Sequence, residues 1–580
     1  MKFSVFVLFV LPALVSAGDW NGPDSELEFA RWVTSARGPV STVHATAGAV
    51  TFVPMSDGVK LYTSVYLPQT AGPFPVLLVR TPYNRVVSGE DSYSYRGIAD
   101  YYVPKGYTVV IQSIRGKYSS EGTYRLLSSG EIDDAYDTIQ WISQQSWCNG
   151  NVAVMGVSHD GFTALAAGVR NPPALKLILS GGAPADLRTD AFIGGGVPST
   201  SLLDYIAFIE TERGQVYENA FFQAYLNNVL REPRLRLHDN KVEKVQLSLW
   251  DELIPQLNDP QSEYWRQRRI RDRITQIRVP VIHIAGLTGD GDMPDTVRNY
   301  LTMAAAPSIA RKQRLILGWW PHSGSGPYAD LSNISPYLLD RYNAFLDYYL
   351  KGVSSPLVNE KPVRAYSKGQ KKWIYADRWP IQAQSAKLVL YLTPDRMLST
   401  RIPGASSPLS YTCNPTVVPS IFRTPVIVPG PDQLVYMSEP MTKDTIILGD
   451  ASLRVFASTD AKDTDFLALL FKKTIAGQDE ELSPTLGRIQ ARYRTGDYKP
   501  PALITPNQVY EYNLPMYPVS NVVKKGERVV LIILSNLNPY IVRNANTGKA
   551  TGADTQFKSA RQKLYHGSQY PSQLLLTVRR

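Results

Sequence analysis

The sequence is poor in cysteine and only moderately charged, and both features exclude classes of protein. Its two cysteines, Cys148 and Cys413, allow one disulfide at most, so the chain cannot be a cysteine-rich scaffold or bind a metal through a set of thiolates. Charged residues make up 19% and apolar residues 44%, which is typical of a globular protein rather than a disordered one. Because the cysteines fall in different predicted domains, we expect both thiols to be free.

Long apolar runs are also absent from the sequence after its first residues. Residues 1–17 combine Lys2, an apolar run over residues 3–14 and the small residues Val15-Ser16-Ala17, a pattern typical of a cleaved signal peptide. The run is short for a membrane span, and no later stretch reaches that length. We therefore expect a secreted, soluble protein without stable membrane insertion.

The formal charge of +10 is not accompanied by a nucleic-acid recognition motif. The densest basic run, Arg266–Arg278, carries Ile270, Ile274 and Ile277 at helical spacing. This spacing predicts an amphipathic helix whose arginines face solvent. The charge therefore does not predict nucleic-acid binding.

Short apolar strands alternate with helices in residues 18–185 and 276–358, which predicts a doubly wound, mostly parallel sheet. Residues 186–275 have helical periodicity and predict a cap inserted over the active-site edge of that sheet. Residues 359–580 have strand patterns separated by turn residues and predict an all-β jelly-roll domain. The core strand patterns are residues 51–65, 74–79, 106–111, 152–155, 175–180, 279–286 and 314–318, and the helical patterns are 98–105, 131–144, 202–212, 216–230 and 242–257.

One stretch, NVAVMGVSHDGFTALAAG from Asn151 to Gly168, predicts a buried strand, a tight turn over Gly156–Gly161 and a helix. This is the outline of a nucleophile elbow, which lifts a serine hydroxyl above the sheet, so Ser158 is the candidate nucleophile. The usual elbow has glycine two residues after the serine, where this chain has Asp160. The motif alone is also consistent with a glycine-rich turn capped by a serine.

A nucleophilic serine needs a histidine to take its proton and an acid to hold that histidine, in the chain order serine, acid, histidine. Of six histidines, at positions 44, 159, 238, 283, 322 and 566, His322 alone follows a late sheet strand on a loop. We predict His322 as the base. We expect the side chain of His159 to pack beside the pocket, and His283 in mid-strand to be a buried core histidine.

The acid should lie on the loop Leu287-Thr288-Gly289-Asp290-Gly291-Asp292, which follows a late strand. Asp290 is closer to the strand and is our prediction, Asp292 is the alternative, and either could instead stabilise the turn through local backbone bonds. The oxyanion needs two donors, for which the His159 backbone N–H and the Tyr83 phenol are candidates. Tyr83 follows an early strand at the sheet edge where such folds bind ligands.

These features resemble the CocE/NonD hydrolase family, which includes cocaine esterase, α-amino acid ester hydrolases, glutaryl acylases and X-prolyl dipeptidyl-peptidases. The resemblance implies an α/β-hydrolase core, a helical cap and a jelly roll, with Ser158 as nucleophile, His322 as base and the Tyr83 hydroxyl in the oxyanion hole. The family usually has tyrosine where this chain has His159, and an ungapped match puts Gly289 on the family's acid. Besides the elbow, the matching segments are residues 57–61, 80–83, 115–122, 134–150, 318–323, 487–493 and 566–576.

We therefore predict a secreted serine hydrolase that cleaves an ester or amide bond through an acyl-enzyme, with no metal or organic cofactor. Its substrate would be a small ester, an amide or a short peptide, and a homo-oligomer is allowed. Two alternatives stay open: an X-prolyl dipeptidyl-peptidase-like aminopeptidase, and a non-catalytic binding protein on a vestigial core. An ammonium-specific ester hydrolase is not predicted, because an ungapped match keeps only Asp292 of that group's carboxylate cluster.

Overall fold

The structure is a computed structural model that describes residues 49–579 with gaps. The described chain divides into two compact units, one holding the residues up to Asp186 together with Gln267–Arg364, the other Leu187–Arg266 and Ala365–Arg580. The predicted signal peptide, residues 1–17, and the predicted helix over residues 216–230 lie outside the described residues, and the predicted domain boundaries stay a prediction. The gaps are residues 84–85, 88–89, 92, 192–193, 195–201, 203–204, 207–208, 211–247, 289, 326–335, 382–384, 418, 420, 422–426, 428, 483–486, 538–540, 551–553 and 555.

The helices and strands are numbered in chain order. None of the described helices is both long and apolar enough to cross a membrane. The α-helices whose bounds lie in the described residues are α1 (Tyr93–Tyr102), α2 (Glu131–Ser143), α3 (His159–Gly168), α4 (Leu187–Ala191), α5 (Ser248–Gln256), α6 (Glu263–Gln267), α7 (Met293–Ala304) and α8 (Pro336–Lys351). The first ten strands are β1 (Ala49–Pro54), β2 (Lys60–Tyr66), β3 (Phe74–Thr81), β4 (Val86–Val87), β5 (Glu90–Asp91), β6 (Thr108–Ser113), β7 (Cys148–Val157), β8 (Leu175–Gly181), β9 (Val281–Gly286) and β10 (Gln313–Gly318). The others are β11 (Val363–Ser367), β12 (Lys372–Ala376), β13 (Ser385–Leu392), β14 (Met397–Ser399), β15 (Leu409–Cys413), β16 (Gln433–Ser438), β17 (Thr445–Thr459), β18 (Asp465–Lys473), β19 (Asp479–Glu481), β20 (Gly487–Gln490), β21 (Tyr510–Val523), β22 (Arg528–Leu534), β23 (Ala560–Leu564) and β24 (Gln573–Arg579).

The first unit is built on a mostly parallel sheet with the strand order β1-β2-β6-β3-β7-β8-β9-β10. β1 and β2 form an antiparallel hairpin that turns at Asp57-Gly58, where Gly58 has a φ of 88°. From β6 to β10, each strand in that order runs parallel to its neighbour. β6 and β9 are buried along their whole length, as parallel strands covered on both faces are. The predicted α/β core is confirmed.

Helix α2 leads directly into β7, the strand that carries the candidate serine. Three carboxylates, Glu131, Asp133 and Asp134, lie in its first turn, where the helix dipole stabilises negative charge. One face packs inward through residues spaced three and four apart, namely Ile132, Ala135, Ile139 and Ile142. Residues 152–157 of β7 are all buried, so the strand end is held inside the sheet.

The second unit contains an all-β domain of jelly-roll type, as predicted. Its strands follow the order β15-β23-β17-β24-β13-β14-β16-β22-β18-β19, with β20 beside β18 and β21 beside β17. The longest ladder joins β17 and β21 in antiparallel register, from Thr445 opposite Val523 to Ala457 opposite Tyr510. Alternate residues of these strands enter the core, among them Ile447, Leu453, Val455, Tyr512 and Leu514.

The helix predicted over the basic run Arg266–Arg278 is wrong. Helix α6 ends at Gln267, and a short 3₁₀ turn at Ile274–Gln276 follows within the run. The isoleucines are buried, but Arg268 is buried as well, and Arg271 forms ion pairs with Asp186 and Asp295. An irregular segment can bury side chains in several directions, so protein carboxylates rather than water face some of these arginines.

Two smaller predictions about individual side chains are confirmed. Cys148 and Cys413 are both free, and Cys413 is buried. His283 is buried in β9 with Nε2 3.1 Å from Gln313 Oε1, and burial lowers the pKa of His283 to about 4. His283 is therefore a neutral core residue, hydrogen-bonded within the sheet.

Candidate active site

Ser158 occupies the turn between β7 and α3 by itself. β7 continues to Val157 and α3 begins at His159, so the turn is shorter than the predicted Gly156–Gly161. Ser158 has a φ of 60° and a ψ of −128°, a conformation that costs a residue with a side chain about 1–3 kcal/mol. Its N–H donates to the Gly181 carbonyl oxygen at 2.9 Å, and its carbonyl oxygen accepts from the Phe162 N–H at 3.0 Å. These two bonds hold the serine in its strained conformation.

Two glycines make this tight turn sterically feasible and explain the irregular motif. A Cβ on Gly156 would lie 2.2 Å from the Asp160 carbonyl oxygen, and one on Gly161 would lie 2.6 Å from the Gly181 carbonyl oxygen. Glycine is therefore required at position 161, where the backbones of α3 and β8 meet. Position 160 supplies the backbone that Gly156 approaches, but its own side chain is accommodated as a buried aspartate that accepts a hydrogen bond from Tyr95 at 3.0 Å.

The Tyr83 phenol reaches the Ser158 hydroxyl. Tyr83 follows β3, which pairs in parallel with β7, and its hydroxyl donates to Ser158 Oγ at 3.3 Å. His159 is the first residue of α3, where backbone N–H groups have no carbonyl partner within the helix. The structure thus brings the two predicted oxyanion donors, Tyr83 and His159, to the candidate nucleophile.

The His159 side chain packs among aromatic rings, as predicted. Its ring centroid lies 6.5 Å from that of Tyr83, 6.2 Å from Tyr124 and 5.8 Å from Phe162. Burial, assisted by the charge of Lys117, lowers the pKa of His159 to about 3. The His159 ring is therefore neutral at neutral pH, and it is a much weaker base than His322.

Asp290 and His322 meet at the same edge of the sheet. Asp290 follows β9 and His322 follows β10, its parallel neighbour, and Asp290 Oδ1 lies 2.8 Å from His322 Nδ1. Because a carboxylate only accepts, Nδ1 donates the proton and Nε2 of the neutral ring is the acceptor. The fully buried Asp290 also accepts from the Gly286 N–H at 2.7 Å and the Asp292 N–H at 3.3 Å. These donors compensate its desolvation.

Asp292 lies near the other ring nitrogen. Its Oδ2 is 3.8 Å from His322 Nε2, the nitrogen that would have to take a serine proton. A carboxylate in that position cannot fix the tautomer through Nδ1. The geometry therefore favours Asp290 over Asp292 as the residue that orients His322.

The end of β8 joins the serine to the histidine. Ser158 is bonded to Gly181, and the next residue, Gly182, lies against the imidazole. A Cβ on Gly182 would lie 2.8 Å from both Cε1 and Nδ1 of His322, at a φ of 43°. Gly182 was not predicted from the sequence, although a glycine pair directly after an apolar strand was a usable signal.

The activity should rise with pH up to a limb near pH 9. Burial disfavours a charged imidazole, but the charge and hydrogen bond of Asp290 and the charge of Asp292 outweigh it and raise the pKa of His322 to about 9. Protonated His322 cannot accept the serine proton, so kcat/KM of the free enzyme should increase as pH rises through that value. Asp292→Asn removes a nearby negative charge and should move the limb to lower pH. A limb near 6.5 that Asp292→Asn does not move would contradict this electrostatic account.

No group of three or more His, Cys, Asp or Glu side chains that could hold a metal ion occurs among the residues that the structure describes. The polar groups of the site are a hydroxyl, an imidazole, a phenol and two carboxylates. This set is sufficient for nucleophilic acyl transfer.

Comparison with known proteins identifies the family. The model of the X-Pro dipeptidyl-peptidase (S15 family) matches residues 57–324, and that of the X-Pro dipeptidyl-peptidase C-terminal non-catalytic domain matches residues 357–575. Cocaine esterase from Rhodococcus sp. (strain MB1 Bresler) is 30% identical over 572 residues, which cover 91% of this chain and 97% of the esterase. The chain belongs to the CocE/NonD hydrolase family. It is a serine hydrolase of the α/β-hydrolase class, as predicted.

Two solved structures share the fold of this CocE/NonD hydrolase. An aminopeptidase from a marine sediment archaeon, Thaumarchaeota archaeon, superposes with a TM-score of 0.78 at 23% identity, covering 92% of this chain and 96% of its own. An α-amino acid ester hydrolase superposes with a TM-score of 0.74 at 24% identity and the same coverage. The combination of α/β core and all-β domain is thus shared across these chains.

Proposed function

We propose that this chain hydrolyses a carboxylic ester through an acyl-enzyme, with Ser158 as nucleophile, His322 as general base and acid, and Asp290 as the group that orients His322. The observation that carries the proposal is the convergence at the end of β8. The Gly181 carbonyl oxygen holds the strained serine, Gly182 lies against the imidazole, and Asp290 accepts a hydrogen bond from Nδ1 of that ring. This convergence supports the proposal, because nucleophilic catalysis by a serine requires a base near the hydroxyl and an acid that orients that base.

The first step transfers the Ser158 proton to His322 Nε2 as the serine oxygen attacks the substrate carbonyl. Without substrate, the Tyr83 phenol donates to Ser158 Oγ. We propose that this proton turns to the substrate carbonyl oxygen, which frees a lone pair of Ser158 Oγ for attack while the serine hydroxyl donates to His322. The switch relieves Ser158 Oγ of a donor at the moment when it must act as a nucleophile.

The tetrahedral intermediate places negative charge on the former carbonyl oxygen. The Tyr83 phenol and the His159 N–H are the two donors proposed for it, and the positive end of helix α3 adds to their effect. His322 then gives its proton to the leaving alcohol, and the acyl group stays on Ser158. A water that His322 deprotonates attacks this acyl group, and the acid is released as Ser158 recovers its proton. Asp290 stabilises the imidazolium in both half-reactions.

An aminopeptidase acting on short peptides is the second candidate, because the matching family model describes an X-Pro dipeptidyl-peptidase and one structural neighbour is an aminopeptidase. A panel of short-chain p-nitrophenyl esters and X-Pro p-nitroanilides separates the two. We expect kcat/KM for the best ester to exceed that for every dipeptide anilide. Cleavage of X-Pro anilides with the higher kcat/KM would replace the esterase proposal, and turnover of neither class would contradict both.

We also propose that the enzyme is exported, which is supported by Lys2, the apolar run over residues 3–14 and the small residues Val15-Ser16-Ala17. N-terminal sequencing of the protein recovered from the culture medium tests this proposal. A start at Met1 would contradict cleavage.

A further inference from the structure

The proposed mechanism does not use the carboxylate of Asp160, which stands where the usual elbow has glycine. Asp160 lies in the first turn of α3, two residues after Ser158, and its side chain is fully buried. The Tyr95 hydroxyl donates to Asp160 Oδ2 at 3.0 Å. Burying a carboxylate is costly unless it is hydrogen-bonded, so packing alone does not explain an aspartate at position 160.

The partners of Asp160 form a hydrogen-bond chain with one direction. Tyr95 has a single hydroxyl proton, which it gives to the carboxylate. In the 2.6 Å contact between Tyr95 Oη and Thr81 Oγ1, the threonine must therefore be the donor. Thr81 Oγ1 in turn accepts from the Tyr83 backbone N–H at 3.1 Å. Because every donor points towards Asp160, successive bonds in the chain strengthen one another.

This chain is shielded from water. Thr81 is fully buried and Tyr95 is 3% exposed. Burial, together with the charge of Asp160, raises the pKa of Tyr95 well above its ordinary value, so Tyr95 keeps its proton. In such surroundings a hydrogen bond is stronger than in water, and its loss leaves a buried polar group without compensation.

The hydrogen-bond chain and helix α3 together form a closed path between Tyr83 and Ser158. It begins at the backbone of Tyr83, passes through Thr81 and Tyr95 to Asp160, and returns along α3 to Ser158, which accepts from the Tyr83 phenol. A second contact ties the same elements, since Thr163 Oγ1 of α3 lies 2.7 Å from the Arg80 carbonyl oxygen at the end of β3. These hydrogen bonds thus fix the position of the loop that carries the Tyr83 phenol relative to helix α3, which begins directly after the nucleophile.

We propose that Asp160, Tyr95 and Thr81 are positioning residues that hold the backbone of Tyr83 so that its phenol reaches the oxyanion. The inference rests on the proposed role of Tyr83. A phenol lies at the end of a long side chain, so a small rotation of the Tyr83 backbone moves its hydroxyl by a larger distance. Misplacement by about 1 Å costs a reaction about 100-fold, so an aspartate in place of the elbow glycine has a catalytic consequence.

A double-mutant cycle between Tyr95→Phe and Tyr83→Phe tests the proposal, with kcat and KM measured on a short-chain p-nitrophenyl ester. Tyr83→Phe alone should lower kcat by about 100-fold to 1000-fold. Tyr95→Phe alone should lower kcat by about 10-fold to 100-fold with little change in KM. In the Tyr83→Phe background, Tyr95→Phe should lower kcat by less than about 3-fold, because the phenol that it positions is gone. An equal loss in both backgrounds would overturn the proposal, since it would reveal a general structural role.

Threonine 81 supplies the matched control. Thr81→Val keeps the shape and removes the hydroxyl, whereas Thr81→Ser keeps the hydroxyl, so kcat should fall much further in the valine variant. Thermal melts of all variants show whether each one is folded at the assay temperature. Equal kcat for Thr81→Val and Thr81→Ser would overturn the proposal.

The outcomes also separate this inference from the proposed function. If Tyr83→Phe leaves kcat unchanged, the proposed role of Tyr83 is wrong and the inference falls with it. If Tyr83→Phe lowers kcat as expected and Tyr95→Phe does not, the positioning role alone is wrong.

Discussion

Ser158→Ala is expected to lower kcat by a factor of about 10⁴–10⁶, as loss of the nucleophile does in other serine hydrolases. The residual rate would come from the oxyanion donors and from substrate binding, which the substitution leaves in place. Initial rates on a p-nitrophenyl ester measure the loss, and a circular dichroism spectrum shows whether the fold is kept. A folded Ser158→Ala variant with a kcat within 10-fold of the parent would exclude Ser158 as the nucleophile.

Ser158→Gly is the matched control for this substitution. Ser158 holds a φ of 60°, which glycine adopts without strain and alanine does not. Both variants should therefore be equally inactive, but the glycine variant should melt at a higher temperature than the alanine variant. This difference reports the strain stored at the turn, about 1–3 kcal/mol, less the greater conformational entropy that glycine loses on folding, about 0.5–1 kcal/mol, and it is independent of the chemistry.

Asp290→Asn is expected to lower kcat by about 10⁴-fold, because an amide in place of the carboxylate favours the wrong tautomer of the imidazole. His322 Nδ1 now donates to Asp290 Oδ1 at 2.8 Å, whereas an amide nitrogen there would require Nδ1 to accept. The measurement is kcat at a pH above the limb, so that altered protonation of His322 does not enter.

Asp292→Asn is the natural comparison, since it makes the same chemical change two residues away. The Asp292 carboxylate faces Nε2 at 3.8 Å and does not touch Nδ1, and the substitution keeps the Asp292 N–H that donates to Asp290, so kcat above the limb should fall by less than about 10-fold. The reverse ranking, with Asp292→Asn the more damaging, would make Asp292 the orienting acid.

Sequence periodicity was sufficient to predict the fold, because it reports burial directly. The alternation of short apolar strands and helices matches the parallel sheet, and the turn residues beyond residue 359 match the all-β domain. The helix predicted for the basic run Arg266–Arg278 was wrong for the same reason, because periodicity reports burial and not backbone conformation. Its isoleucines are buried as expected, but spacing alone does not distinguish a helix from a segment that buries both isoleucine and arginine.

Some residues of the candidate site could be identified from the sequence, and others could not. Ser158, His322 and Tyr83 could be found because each follows a recognisable strand of the sheet. The acid could not be decided from the sequence, since Asp290 and Asp292 lie on one short loop and only the position of the imidazole distinguishes them.

The supporting residues were out of reach because their contacts join distant parts of the chain. Gly182 is 140 positions from His322 in the chain (322 − 182), yet it lies against the ring. Asp160 looked like a defect in the elbow motif. In the structure it is the end of a hydrogen-bond chain that starts at Tyr83.

The role of Ser158 as nucleophile is tested by treating the protein with a fluorophosphonate probe and mapping the modified residue by peptide mass spectrometry. Such a probe reacts with a serine that a neighbouring histidine activates. We expect a single adduct on Ser158, which His322→Ala suppresses and Ser158→Ala abolishes. An adduct on another residue, or no adduct on a protein that hydrolyses esters, would contradict this role.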